Sequence, residues 1–172
     1  CEFLLYDAAS PENEQAIAAP FIAQHPQIRY TRLANRESIY AVWNRGVREA
    51  QAPYICNANA DDLLRPDALE RLADYLDSHP ACDLVYSDYF VTHRPAASFH
   101  NHFRSGYATR PDFSPDVMLY GCFMGPMPLW RKDMHARYGL FDDSLSTAGD
   151  WEFWCRAVAC GAKFAHLPEF LG

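Results

Sequence analysis

The chain has 172 residues, 49% of them apolar and 15% aromatic, enough to bury the core of one domain and too apolar for a disordered segment. Its formal net charge is -7 and its Lys and Arg are scattered, so it lacks the basic stripe that a phosphate backbone requires, and nucleic acid is not an expected partner. No run of 18 apolar residues is present to cross a bilayer, and membrane association is not evident in this segment.

Glu2 to Tyr6 reads as a short buried strand ending at Asp7. Ser10 and Pro11 then supply an N-cap and an N1 proline for a helix over Glu12 to Gln24. Ile28 to Leu33 reads as a second strand. The helix from Ser38 to Ala50 carries an apolar stripe of Ile39, Val42, Trp43 and Val47. Tyr54 to Cys56 starts a third strand, which runs into the acidic segment Asn59-Ala60-Asp61-Asp62. Pro66-Asp67 opens a helix over Ala68 to Leu76 that His79-Pro80 stops, and Leu84 to Tyr86 is a fourth strand followed by Asp88.

From His93 to Arg110 no period is visible, and the segment reads as a flexible loop or a short hairpin. Ser114-Pro115-Asp116 begins a short helix reaching Tyr120, followed by an apolar stretch from Phe123 to Trp130 and a short helix around Lys132 to Arg137. A turn at Gly139 to Asp142 precedes a helix over Trp151 to Cys160, closed by Gly161, and Phe164 to Leu167 forms a last strand before Pro168. The alternation of strands and helices predicts an α/β fold, a mainly parallel sheet with helices on both faces. Asp7, the acidic run and Asp88 all fall just past the C-terminal ends of strands, where ligands bind in open α/β sheets.

Two adjacent carboxylates at a strand end suit a hard divalent cation such as Mg²⁺ or Mn²⁺, with positions left for phosphate oxygens. Asp61 or Asp62 equally suits the capping of the following turn or helix. Asp150 stands at a helix start, which fits both an N-cap and a positioned general base. Trp151, Phe153 and Trp154 read as core residues, one of which would alternatively stack on a sugar. His100-Asn101-His102 is a weak metal pair, and His135 and His166 read as structural. The six cysteines form no C-x-x-C pair and are expected as reduced thiols of a cytoplasmic protein, with any contact to the inner face of a membrane made elsewhere. No phosphate-binding G-x-x-x-x-G-K-[ST] loop and no G-x-S-x-G elbow occurs.

Taken in order, these pieces resemble glycosyltransferase family 2, inverting enzymes with a GT-A fold. Leu5 to Ser10 is similar to the family's second strand with its Asp-x-x-Ser turn, and Ser38 to Gly46 to its helix ending in Asn-x-Gly. Tyr54 to Pro66 with Ala68-Leu69-Glu70 looks like the segment around its D-x-D signature, and Gly139 to Asp142 with Gly149 to Arg156 is similar to its acceptor-side segment. The resemblance implies that Asp7 meets the nucleotide base, with Arg36 and Asn44 near the nucleotide. It implies that Asn59, Asp61 and Asp62 serve the ribose, the diphosphate and a Mn²⁺ or Mg²⁺ ion, with Asp61 and Asp62 as metal carboxylates, and that Asp150 is the catalytic base.

The departures are Asn59 in place of the first Asp of D-x-D and Gly149 where the family often has Glu. The chain is expected to be one GT-A domain, an excerpt without the family's first strand or the C-terminal continuation. The implied partners are a nucleotide-sugar donor and a glycan or other hydroxyl acceptor, as in polysaccharide or glycoconjugate synthesis. A catalytically degenerate nucleotide- or glycan-binding module is the alternative, favoured by Asn59.

Overall fold

The computed structural model describes residues 1–93, 98–99 and 106–172. In chain order the elements are β1 (Phe3–Asp7), α1 (Glu14–Gln24), β2 (Ile28–Arg32), α2 (Ile39–Glu49), β3 (Tyr54–Cys56), α3 (Ala68–Ser78) and β4 (Leu84–Val91). They continue with β5 (Gly106–Ala108), α4 (Pro115–Met118), β6 (Leu129–Arg131), α5 (Met134–Tyr138), α6 (Gly149–Ala159) and β7 (Phe164–Phe170). β1 and β2 pair in parallel from Phe3↔Ile28 to Asp7↔Arg32. The other five strands form one sheet in the order β3-β6-β4-β5, with β7 also on β4.

β6 lies antiparallel to both β3 and β4, so those two run the same way, and β7 runs parallel to β4. β5 is the second reversed strand, pairing antiparallel with β4 in the hairpin arrangement that the patternless segment allowed. The sheet is therefore mixed, with a common direction for β3, β4 and β7 and two reversed strands. The apolar stretch from Phe123 to Trp130 did not announce β6, because a short apolar run has no periodicity of its own.

Side-chain alternation along the central strands explains the helices on both faces. Leu84 and Tyr86 of β4, with Trp130 of β6, pack into a core with Tyr40 and Val47 of α2 and with Phe153, Trp154 and Ala157 of α6. Val85 and Leu129, the alternate residues, pack into a second core with Ala68, Leu72 and Leu76 of α3. Each face of the sheet thus has its own helical cover.

The start of α1, the burial of β1 and the ends of β4 and β7 differ from the sequence expectations. α1 begins at Glu14 with Asn13 at its cap position, because Ser10 belongs to the preceding turn: its N–H donates to Asp7 Oδ1 at 2.9 Å and its carbonyl accepts from Arg32 at 2.9 Å. β1 is only partly buried, with Phe3 and Leu5 47% and 44% exposed. β4 continues past Tyr86 to Val91, so Asp88 is a mid-strand residue and not a strand-end one. It is buried and accepts from the Arg110 N–H at 2.7 Å, with His166 Nε2 at 2.8 Å from the same oxygen. β7 likewise runs through Pro168. The register jumps from Ser87↔Leu167 to Asp88↔Phe170, and this irregularity accommodates a residue that has no N–H to give the ladder.

Candidate functional site

The acidic run leaves β3 at Cys56 and is anchored downstream by Arg65. The Arg65 N–H donates to the Leu171 carbonyl at 2.8 Å, and its guanidinium meets Glu169 at 3.1 Å, both beside the β7 irregularity. Asp61 and Asp62 enter a cleft of about 210 Å³ that Tyr89, Met127 and Gly172 also line. The helix-capping explanation does not apply, since Asp67 occupies the cap position of α3. Asn59 is turned into the loop: its Nδ2 donates to Asp62 Oδ2 at 2.7 Å and its Oδ1 accepts from Asn57 at 3.3 Å. A carboxylate at position 59 would face the Asp62 carboxylate at that distance, so the amide converts a like-charge contact into a hydrogen bond.

Among the described residues no group of three or more His, Cys, Asp or Glu is arranged to hold a metal ion. Two carboxylates in an open cleft fit a hard cation that completes its shell with substrate phosphate oxygens, and do not fit an all-protein cage. His100 and His102 lie outside the described residues.

A second cleft, of about 450 Å³, opens beside the turn after β1. Tyr6, Ala9, Ser10, Arg36, Glu37 and Trp43 are among its walls. Asp7 does not line it. Its carboxylate is buried, with Oδ1 on the Ser10 N–H and Oδ2 accepting from the Tyr30 hydroxyl at 2.7 Å and from Arg32. The hydrogen bonds from Tyr30 and from the Ser10 amide hold its carboxyl below the usual range. Asp7 therefore shapes the turn that lines the cleft. Arg36 is exposed in the cleft wall, but Asn44 is in neither cleft: it is 2% exposed, with its amide spent on the backbone of Phe141. Trp43, assigned from sequence only to an apolar stripe, is half-buried at this cleft.

Asp150 is the second residue of α6, and Ala148 holds the cap position with no side-chain cap bond, so Asp150 is not an N-cap. Its carboxylate lies in the first turn, where the helix dipole favours negative charge. The Tyr40 hydroxyl donates to its Oδ1 at 3.2 Å, and among the described residues Oδ2 has no hydrogen-bond partner. Trp151 donates its indole N–H to the Met118 carbonyl at 2.9 Å, bringing α4 alongside. Phe153 and Trp154 are 0% and 2% exposed, which makes both core residues and not sugar platforms.

Among the described residues, three non-glycine residues adopt left-handed φ: Ala9 at 56°, Met127 at 56° and Ala148 at 59°. Each borders a candidate position, namely the Asp7 turn, the acidic cleft and the start of α6. Such a conformation costs an alanine or methionine on the order of 1 kcal/mol, and residues held this way cluster at functional sites.

Arg110 is a candidate that the sequence did not announce, because it ends the patternless segment. Its guanidinium stacks 4.5 Å over the Tyr89 ring and donates to the Tyr89 hydroxyl, while its buried Nε has no partner among the described residues. Desolvation holds its pKa below the ordinary arginine value. The Cys122 thiol, pushed up to about 11 mainly by desolvation, feels both Asp150 and Arg110, so the three groups lie within one electrostatic neighbourhood. His135 and His166 are structural: the Trp130 indole N–H donates to His135 Nε2 at 3.0 Å, and His166 sits on Asp88.

A family model described as glycosyl transferase family 2 matches residues 1–135. The amylovoran biosynthesis glycosyltransferase AmsE of Erwinia amylovora is 23% identical over 172 residues, covering 98% of this chain and 61% of AmsE. Among solved structures, residues 1–349 of TarS from S. aureus superpose with a TM-score of 0.74 at 15% identity, over 99% of this chain and 50% of that one. The mannosyltransferase PcManGT from Pyrobaculum calidifontis, in complex with GDP-Man and Mn²⁺, gives a TM-score of 0.68 at 14% identity, over 98% and 46%. These likenesses show the GT-A fold. The chain spans 17%, 52% and 61% of the length of three curated relatives that it matches.

Proposed function

Because the chain belongs to glycosyl transferase family 2, we propose that it is the core of an inverting transferase, moving a sugar from a nucleotide-diphosphate donor to an acceptor hydroxyl in glycan synthesis. The observation that carries this reading is the Asp150 carboxylate, raised on the first turn of α6 with one oxygen tethered and the other without a hydrogen-bond partner among the described residues.

The nucleotide occupies the cleft walled by the Asp7-closed turn, Arg36 and Trp43. Its diphosphate reaches Asn59, Asp61 and Asp62, and Asp61 and Asp62 would hold a Mn²⁺ or Mg²⁺ ion there. When bound, that ion would supply positive charge against the departing diphosphate. Asp150 takes the acceptor proton through its open oxygen as the acceptor attacks the anomeric carbon from the face opposite the diphosphate. One base and one displacement invert that carbon, in contrast to the paired carboxyl groups of glycosidases. The complex of PcManGT with GDP-Man and Mn²⁺ supports a nucleotide-sugar and a divalent ion.

The test is transfer from isotope-labelled UDP-, GDP- and dTDP-sugars by the full-length protein, with and without EDTA. The expected result is turnover that EDTA abolishes and that Asp150→Asn lowers by at least about 100-fold. Turnover by Asp150→Asn at the wild-type rate would remove Asp150 as base, and donor binding without any turnover would favour a nucleotide- or glycan-binding module.

A further inference from the structure

We infer that Tyr40 is the positioning residue for the general base, fixing the Asp150 carboxylate so that Oδ2 alone meets the acceptor; this rests on the reading of Asp150 as that base. Tyr40 is 5% exposed on α2, and its hydroxyl donates to Asp150 Oδ1 at 3.2 Å across 110 residues of sequence. Its ring is seated as tightly as its hydroxyl. A Cβ on Gly149 would stand 2.7 Å from the Tyr40 ring, so the glycine before Asp150 is the space into which the phenol packs. Trp43 meets the ring edge-on at 5.5 Å and Phe141 lies against it at 6.2 Å.

The first turn of α2 is itself fixed to the loop before α6. Ser38 Oγ accepts from the Ala41 N–H at 3.2 Å and donates to the Asp143 carbonyl at 3.0 Å. Burial and the Asp150 charge raise the Tyr40 pKa, so the phenol keeps its proton and donates. In the displacement, the acceptor oxygen forms its bond to the anomeric carbon and that carbon's bond to the diphosphate oxygen breaks. The electron pair leaves with the diphosphate and the proton passes to Asp150 Oδ2, while Tyr40 gains and loses nothing. A donor at Oδ1 selects one carboxylate rotation and leaves Oδ2 to take the acceptor proton. Because α2 also supplies Ile39, Val42 and Trp43 to the second cleft, one helix carries both a wall of that cleft and the tether of the base.

Tyr40→Phe keeps the ring over Gly149 and removes only the tether. In the full-length protein, with UDP-glucose, GDP-mannose and dTDP-glucose as donors and water or the native acceptor, Tyr40→Phe is expected to lower kcat by about 10- to 100-fold. The donor KM is expected to stay within about twofold. A structural role alone would raise the donor KM together with the loss in kcat, because α2 also walls the second cleft, and that outcome overturns the inference. Wild-type kcat in Tyr40→Phe, with Asp150→Asn inactive, overturns this inference alone. Wild-type turnover in Asp150→Asn, or no turnover of any donor by the wild type, overturns the base reading and this inference with it. Should Tyr40→Phe fail to fold, Gly149→Ala displaces the same phenol without deleting it, and a wild-type kcat there overturns the inference equally.

Discussion

Asn44 and Phe141 exchange two hydrogen bonds: the Asn44 amide Nδ2 donates to the Phe141 carbonyl at 2.9 Å, and the Phe141 N–H donates to Asn44 Oδ1 at 3.0 Å. Asn44 thereby gives Phe141 the partners a neighbouring strand would, and pins the turn before α6 to α2. Both residues are buried, at 2% and 3% exposure, so water does not replace the lost bonds. Asn44→Ala is expected to cost about 2–4 kcal/mol, from two buried backbone groups left unpaired. Urea unfolding measures this directly. A loss below about 0.5 kcal/mol would mean that the backbone finds other partners.

That exchange also marks the boundary of what was legible in the residues. Local signals were read well where one element decides its own fate: Ser114-Pro115-Asp116 does begin α4, Gly161 does follow α6, and the acidic run does leave a strand end. Asn44 in its Asn-x-Gly setting resembled a nucleotide contact, and only a partner 97 residues away shows the structural task. Asp88 cut the apparent strand short, since a carboxylate mid-strand looks costly until Arg110 and His166 satisfy it. β6 and the role of Arg110 were hidden for the same reason. Their meaning lies in strand pairing and ring stacking, which no local period encodes.

His135 makes stability depend on pH in a known direction. Its Nε2 accepts from the Trp130 indole at 3.0 Å and its Nδ1 lies 3.1 Å from the Gly139 carbonyl, so the neutral ring satisfies both neighbours and a protonated one does not. Burial, outweighing the bond to Gly139, pushes its pKa from 6.5 down to about 4. The unfolded chain therefore binds a proton that the folded one refuses. This contribution is fully present above about pH 6.5 and fades as pH falls toward 4, by about 2 kcal/mol between pH 7 and pH 5. Denaturant titrations at those two pH values are expected to show that fall in the wild type and a fall smaller by about 2 kcal/mol in His135→Phe. Equal falls in the two proteins would assign the acid sensitivity to other groups.

Asn59→Asp tests whether the acidic loop is built to stand one carboxylate short. The Asn59 amide now donates to Asp62 Oδ2 at 2.7 Å. A carboxylate there loses that bond and sets two negative charges side by side, beside the exposed Asp61. Without a divalent ion the variant is expected to be less stable than wild type by about 1–2 kcal/mol, read as a lower melting temperature in EDTA. Added Mn²⁺ should then stabilise the variant more than the wild type, because a cation binding only the folded state raises its melting temperature by mass action. The difference between the two Mn²⁺ shifts is the decisive quantity, since it separates a cation held at this loop from a general salt effect. Identical shifts in both proteins would place the ion away from residue 59, and no shift in either would deny the loop a cation in the absence of a donor diphosphate.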